Sequence, residues 1–165
     1  MNMRMVWVFL VFVIPFPAAA FCFQDAGERY QVDPLLLEAI GVRESGLRPR
    51  AVNQNRDDSG KLLSTDYGLM QINTSNADRL VRMGLIRRPE DLLADACFNV
   101  QVGAWVLARH LRTCGNTWRC LGSYNAGFHP SAGQEIKRLR YAKEVRTIYN
   151  RLKALGPTPA NFAIR

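Results

Sequence analysis

The first apolar block in the chain is continuous: Val6-Trp-Val-Phe-Leu-Val-Phe-Val-Ile14 has no polar interruption and follows a short start carrying Arg4. Pro15 and Pro17 end the block, and Ala18-Ala-Ala20 provides the small residues of a cleavage site. Residues 1–20 therefore read as a signal peptide cleaved near Ala20. The block falls short of the roughly 20 apolar residues needed to span a bilayer, so no stable membrane anchor is expected after cleavage. Phe21 is too large for the residue that precedes a lipoprotein cysteine, which argues against lipid attachment at Cys22.

Beyond residue 20 the spacing becomes helical. Asp33-Pro34 is a start signal, with Asp as N-cap and Pro at the first position, and it predicts a helix to Ser45 that stops at Gly46. Residues 47–66 are polar and irregular, which suits a loop or small β-hairpin around 53–68. A helix is predicted from Ser75 to Met83, closed by Gly84, and a short helical turn after Pro89. Asp95 caps a longer helix with the apolar stripe Ala96, Val100, Gly103, Ala104, Leu107 and Leu111. Another helix starts near Asn116 or Thr117 and gives way at Gly127. The last runs from about Gln134 to Leu155, with Tyr141, Val145, Ile148 and Leu152 on one face. Lys137, Arg138, Arg140, Lys143, Arg146 and Arg151 occupy its other faces and read as a solvated surface. The pattern predicts one mainly α (α+β) domain over residues 21–155, followed by a flexible tail, 156–165.

The formal charge of +8 favours an anionic partner, such as wall polymer or phospholipid. No basic run with interleaved aromatics stands out, so no nucleic-acid partner is expected. Cys22, Cys97, Cys114 and Cys120 all survive cleavage, and an even count in an exported chain implies disulfides. Cys114 and Cys120 flank the turn-like Gly115-Asn-Thr-Trp-Arg119, which leaves Cys22 to pair with Cys97. Their spacing does not suit zinc, and neither His110 nor His129 completes a ligand pattern. Asn55, Asp57, Ser59, Gly60 and Asp66 fall at calcium-loop spacing, but the ends are weak ligands and Arg48-Pro49-Arg50 makes a poor entering helix. No metal and no cofactor is expected.

Glu44 breaks the local pattern. Leu37, Ile40 and Glu44 share one helix face, so a carboxyl group lies on apolar surface and in the helix's last turn. Desolvation and the helix dipole both disfavour its anion, as a general acid for glycosidic cleavage requires. Taken alone, the same placement suits a core-rim glutamate paired with a cation.

Glu44-Ser45-Gly46, Gly68-Leu-Met-Gln-Ile72 and Ser123-Tyr-Asn-Ala-Gly127 follow one another in an order that resembles the motif series of the Slt-type lytic transglycosylases, which have a lysozyme-like fold. The chain is most similar to the small exported members associated with type III and type IV secretion, conjugation and pilus assembly. The resemblance implies Glu44 as catalytic acid and base with Ser45 beside it. It implies Gln71, Tyr124 and Asn125 as residues lining a glycan cleft, and Tyr141 as a tyrosine facing the glutamate. Asn73 and Thr74 depart from the Met and Pro common after this Gln-Ile, and Ser123 replaces a common alanine.

The implied reaction is lytic cleavage of the MurNAc–GlcNAc β-1,4 bond of peptidoglycan, leaving 1,6-anhydromuramic ends, by a periplasmic enzyme serving an envelope-spanning machine. The expected partners are peptidoglycan glycan strands and components of that secretion, conjugation or pilus machine. Asp66, two residues before Gly68, is a candidate second carboxylate; its plainer role is to cap a turn. Two other readings stand beside this one: a hydrolytic muramidase using Glu44 with Asp66, and a wall-binding assembly factor that makes no cut.

Overall fold

The computed structural model describes residues 21–156. The expected signal peptide and residues 157–165 of the expected tail lie outside that range. Helices α1 (Phe23–Tyr30) and α2 (Pro34–Ser45) lead into strands β1 (Val52–Arg56), β2 (Leu62–Tyr67) and β3 (Ile72–Asn73). Helix α3 (Thr74–Arg82), a 3-10 segment (Pro89–Leu93) and helices α4 (Ala96–Cys114), α5 (Trp118–Leu121), α6 (Ser123–Ala126) and α7 (Ala132–Leu155) complete the order. The strands form one antiparallel sheet in the order β1-β2-β3. The architecture is mainly helical with a small sheet, as the polar and apolar pattern predicts.

Local chemistry sets the helix ends. Asp33 accepts from the Leu35 amide at 2.9 Å and Gly46 closes α2 at φ 63°. Asn73, Asp95 and Ser131 cap α3, α4 and α7 in the same way, each accepting an amide of the first turn. Helix α4 is the axis of the core. The predicted stripe residues Val100, Gly103, Ala104 and Leu107 are buried, but so are Val102, Val106 and Ala108, because α1, α2, α5 and α6 pack around it.

Four features depart from the sequence reading. Helix α1 has no predicted counterpart; it buries only Ala26 and Gly27, too little to give a periodic apolar signal. The expected hairpin gains a third strand, Ile72–Asn73, paired with Asp66 and Tyr67. The helix expected from residue 116 or 117 to 127 is two short helices broken at Gly122, where a Cβ would meet the Arg138 carbonyl oxygen at 2.2 Å. Arg138 is also not on a solvated face. It is buried, and it donates to the Gly127 and His129 carbonyls while pairing with Glu135.

Disulfides join Cys22 to Cys97 and Cys114 to Cys120. The first ties the start of α1 to the first turn of α4, and a loop of that length contributes roughly 4–5 kcal/mol in the chain-entropy model. A second tie is polar. The fully buried amide of Asn99, on α4, donates to the Tyr67 and Leu92 carbonyls at 3.0 and 3.2 Å and accepts from the Met70 amide at 2.8 Å. Gly68 lies against it at φ 78°, where a Cβ would sit 2.2 Å from the Asn99 nitrogen. Gly103 gives Met70 similar room, since a Cβ there would sit 2.8 Å from the Met70 side chain.

Removing the Asn99 amide strands three buried backbone groups, each costing about 1–3 kcal/mol. Asn99→Ala is therefore expected to lower the free energy of unfolding by at least about 3 kcal/mol in urea titration. A loss below about 1 kcal/mol would show that the amide is not the tie described.

Candidate active site

Helix α2 carries Glu44 in its last turn, and the glutamate faces the inner side of α7. Tyr141, a residue 1% exposed, donates through its hydroxyl to Glu44 Oε1 at 2.5 Å. Burial pushes the Glu44 carboxyl up to about 7; the Tyr141 bond and the Arg43 charge oppose that rise, while Asp66 and Glu144 add to it. Desolvation therefore wins over the nearest cation, and the group is poised to carry a proton near neutral pH.

Behind the acid, aromatic rings are stacked. Tyr124, on α6, lies parallel to Tyr141 with ring centroids 6.5 Å apart, and its hydroxyl donates to the Met70 carbonyl at 2.9 Å. Burial, joined by the charge of Glu44, raises both phenols well above their ordinary value, so both remain neutral donors. Asp66, on β2, is half-buried and close enough to Glu44 to raise its pKa. Burial also raises the Asp66 carboxyl, against a 2.8 Å hydrogen bond from Asn55 Nδ2 on β1.

Glu44, Tyr141, Tyr124 and Asp66 are thus brought together from α2, α7, α6 and β2. Ser45 and Gln71 hold backbone instead. The Ser45 hydroxyl is buried, donating to the Leu69 carbonyl at 2.7 Å and accepting from the Arg48 amide at 3.0 Å. Gln71 takes the left-handed conformation at φ 49°, and its side-chain nitrogen donates to the Gly68 and Ala51 carbonyls. Asn125 is exposed on α6 and makes no hydrogen bond to the acid.

Two contributors gave no sequence signal of their own. Arg43 Nε donates to Glu144 Oε2 at 2.5 Å and its guanidinium lies 5.6 Å from the Tyr141 ring centroid. That ion pair bridges α2 and α7, the helices that carry the Glu44–Tyr141 bond. Asn55 was visible only within the calcium-like spacing. In the structure it is bonded to Ser64 and Asp66, while Asp57 is turned onto Ser59 and the Lys61 amide. Among the described residues, no group of three or more His, Cys, Asp or Glu is placed to hold a metal ion.

A family model described as transglycosylase SLT domain matches residues 21–147. A peptidoglycan-binding-like protein of Escherichia coli O157:H7 is 41% identical over 138 residues, covering 84% of this chain and 81% of that protein. Protein IpgF of Shigella sonnei is 38% identical over 92% of this chain and 93% of its own length. Invasion protein IagB of Salmonella typhimurium strain LT2 is 38% identical over 87% of this chain and 84% of its own. Among solved structures, an inactive mutant of lytic transglycosylase Slt from Pseudomonas aeruginosa matches with a TM-score of 0.56 at 19% identity. That match covers 87% of this chain and 25% of that chain, and the likeness is one of fold.

Two measurements test the electrostatics. Glu44's folded-state pKa, about 7, lies above its ordinary 4.5, so the stability tied to its proton is complete below pH 4.5 and lost as pH rises through 7. Wild type is expected to lose up to about 3 kcal/mol of unfolding free energy between pH 4.5 and 8, and Glu44→Gln to remove most of that slope in urea titrations. The second concerns the ion pair. Arg43→Gln leaves the Glu144 charge beside Glu44 and should move its titration to higher pH; Glu144→Gln leaves Arg43 and should move it lower. Each shift is expected near half a pH unit, small because both partners are partly solvated. Carbon-13 titration of the Glu44 carboxyl reads both, and shifts in the same direction would contradict the assignment.

Proposed function

The chain belongs to the transglycosylase SLT domain family, and on that footing we propose that it cleaves the MurNAc–GlcNAc β-1,4 bond of peptidoglycan without water, with Glu44 as acid and then base. The observation that carries the reading is a buried carboxyl, its pKa pushed up to about 7 by burial, held by the Tyr141 hydroxyl. Glu44 gives its proton to the glycosidic oxygen as the muramoyl C1–O bond breaks. The substrate's acetamido group and the cleft stabilise the cationic C1. Glu44, now a carboxylate, takes the proton of the muramoyl C6 hydroxyl as that oxygen closes on C1. The products are a free GlcNAc 4-hydroxyl and a 1,6-anhydromuramic end, and Glu44 is restored in its acid form.

Tyr141 keeps its proton throughout and fixes the carboxyl's rotamer. Tyr124 lines the cleft and supports Tyr141, and Ser45 and Gln71 hold the turn beneath it. Asn125, exposed on α6, is read as a glycan contact. Asp66 supports a second reading, in which it holds a water or the cationic centre and the outcome is hydrolysis; its proximity to Glu44 and its own raised pKa favour that accessory role. A wall-binding factor that makes no cut has no use for a desolvated acid.

We further read the protein as a periplasmic enzyme that opens the wall locally for a secretion, conjugation or pilus machine. The exported pattern of residues 1–20, the two disulfides and the relative named an invasion protein support that reading.

Digestion of purified peptidoglycan by the mature protein, followed by mass spectrometry of the released muropeptides, tests the chemistry. Anhydromuramic products that fall at least about a hundredfold with Glu44→Gln are expected, with rates declining above about pH 7 as the acid ionises. Reducing-end products would make the protein a muramidase, and equal release by both proteins would remove Glu44 from the mechanism.

A further inference from the structure

Helix α4 presents a second surface, turned away from the cleft. Its inner face meets Met70 at Gly103 and Ser123 at His110. Trp105 and Arg112 each stand two residues beyond those positions, about 200° round the helix, and Arg109 lies between them on that outer face. Phe98, Trp105, Arg109 and Arg112 follow one another at i, i+7, i+11 and i+14, one outward stripe. The Arg109 guanidinium lies 4.7 Å from the Trp105 ring centroid.

The end of α3 approaches this stripe through Arg79. Arg79 and Arg112 are both close enough to depress the Arg109 pKa, after the larger effect of burial. The Met83 amide bonds back to the Arg79 carbonyl at 3.0 Å, so Met83 stands one turn above Arg79, beside Arg82. The following loop, through Leu85, shares a cavity of about 420 Å³ with Phe98. Met83 and Leu85 are each 56% exposed. None of Arg79, Arg82, Arg109 and Arg112 enters an ion pair among the described residues. The carboxylates lining the cavity are already engaged: Asp91 accepts the Arg87 and Arg88 amides, and Asp95 caps α4.

Three arginines without an ion pair, Arg79 and Arg112 both bearing on Arg109, stand with exposed methionine and leucine and a half-covered tryptophan, a surface in want of an anion that also offers an apolar phase. A soluble acidic peptide or glycan matches the charge but gives no reason for Met83 and Leu85. We propose that this face docks the protein reversibly on an anionic phospholipid surface. Arg79, Arg109 and Arg112 take headgroup phosphates, and Met83 and Leu85 enter the headgroup–acyl boundary. The contact is peripheral: among the described residues no helix is long and apolar enough to cross a membrane. It is also independent of the chemistry at Glu44.

Cosedimentation of the disulfide-bonded mature protein with phosphatidylglycerol vesicles and with phosphatidylcholine vesicles tests the proposal. Wild type should bind the anionic vesicles and release them as salt rises. The triple change Arg79→Gln, Arg109→Gln, Arg112→Gln should weaken that binding about a hundredfold, at roughly fivefold per cation. A charge-matched triple on α7 (Lys137→Gln, Arg140→Gln, Lys143→Gln) should keep binding within about threefold of wild type. Met83→Ser with Leu85→Ser should weaken binding at unchanged net charge, and unaltered circular dichroism confirms that each variant folds. Equal losses from the two charge triples would reduce the effect to net charge and overturn the proposal. So would absence of binding to phosphatidylglycerol. Competition by polyglutamate together with indifference to the Met83/Leu85 change would assign the face to an acidic protein instead, and would also overturn it.

Discussion

Everything at the site depends on where the turn Gly68-Leu69-Met70-Gln71 is held, and one buried amide does most of the holding. Asn99 takes the Met70 N–H and gives its own hydrogens to Tyr67 and Leu92, binding the turn to the central helix. Two side chains then use the turn's carbonyls as fixed points: Ser45 bonds to Leu69 and Tyr124 to Met70. Tyr124 backs Tyr141, and Tyr141 bonds to Glu44. Position passes from the core to the carboxyl through these contacts, each closed on both sides. Gly68 is required because the amide comes so near the chain that a Cβ would overlap it, at a positive φ that glycine adopts without strain.

The acid itself is a balance that burial wins. Arg43, the neighbouring residue, would by itself keep Glu44 ionised, yet its guanidinium is drawn sideways to Glu144 and over the face of Tyr141. The cation is thus partly neutralised and spent on joining α2 to α7. Asp66 faces Glu44 from the sheet, and its negative charge reinforces the desolvation. Two neighbouring carboxyls, one more buried than the other, is an arrangement by which environment can separate two titrations.

What the sequence made legible was local. Asp33-Pro34, Asp95 and the glycine stops follow from backbone chemistry within a few residues, and the helices they bound appear in the structure close to where they were expected. Glu44 could be suspected because it shares a face with Leu37 and Ile40. The features that escaped depend on contacts between distant residues. Nothing near Asn99 announces that it will serve Tyr67, 32 residues earlier. Nothing near Arg138 announces that it will fold under α6 to hold the carbonyls that follow it. Gly122 looks like a tolerated helix interior until the α7 backbone is seen against it. Ser45 and Gln71 were legible as members of motifs, but only the geometry shows that both hold the backbone of the turn.

The covalent link between Cys22 and Cys97 also bears on timing. It joins the first described helix to the central one across a separation of 75 residues, and such a closure is comparable with the entire net stability of many small domains. In a thiol-rich interior the same polypeptide lacks that closure, and its folded state is correspondingly sparse. Transfer to an oxidising space changes the equilibrium without any change of sequence. The chain thus reaches full rigidity only where its thiols are oxidised, so its redox surroundings act as a maturation clock written into its topology.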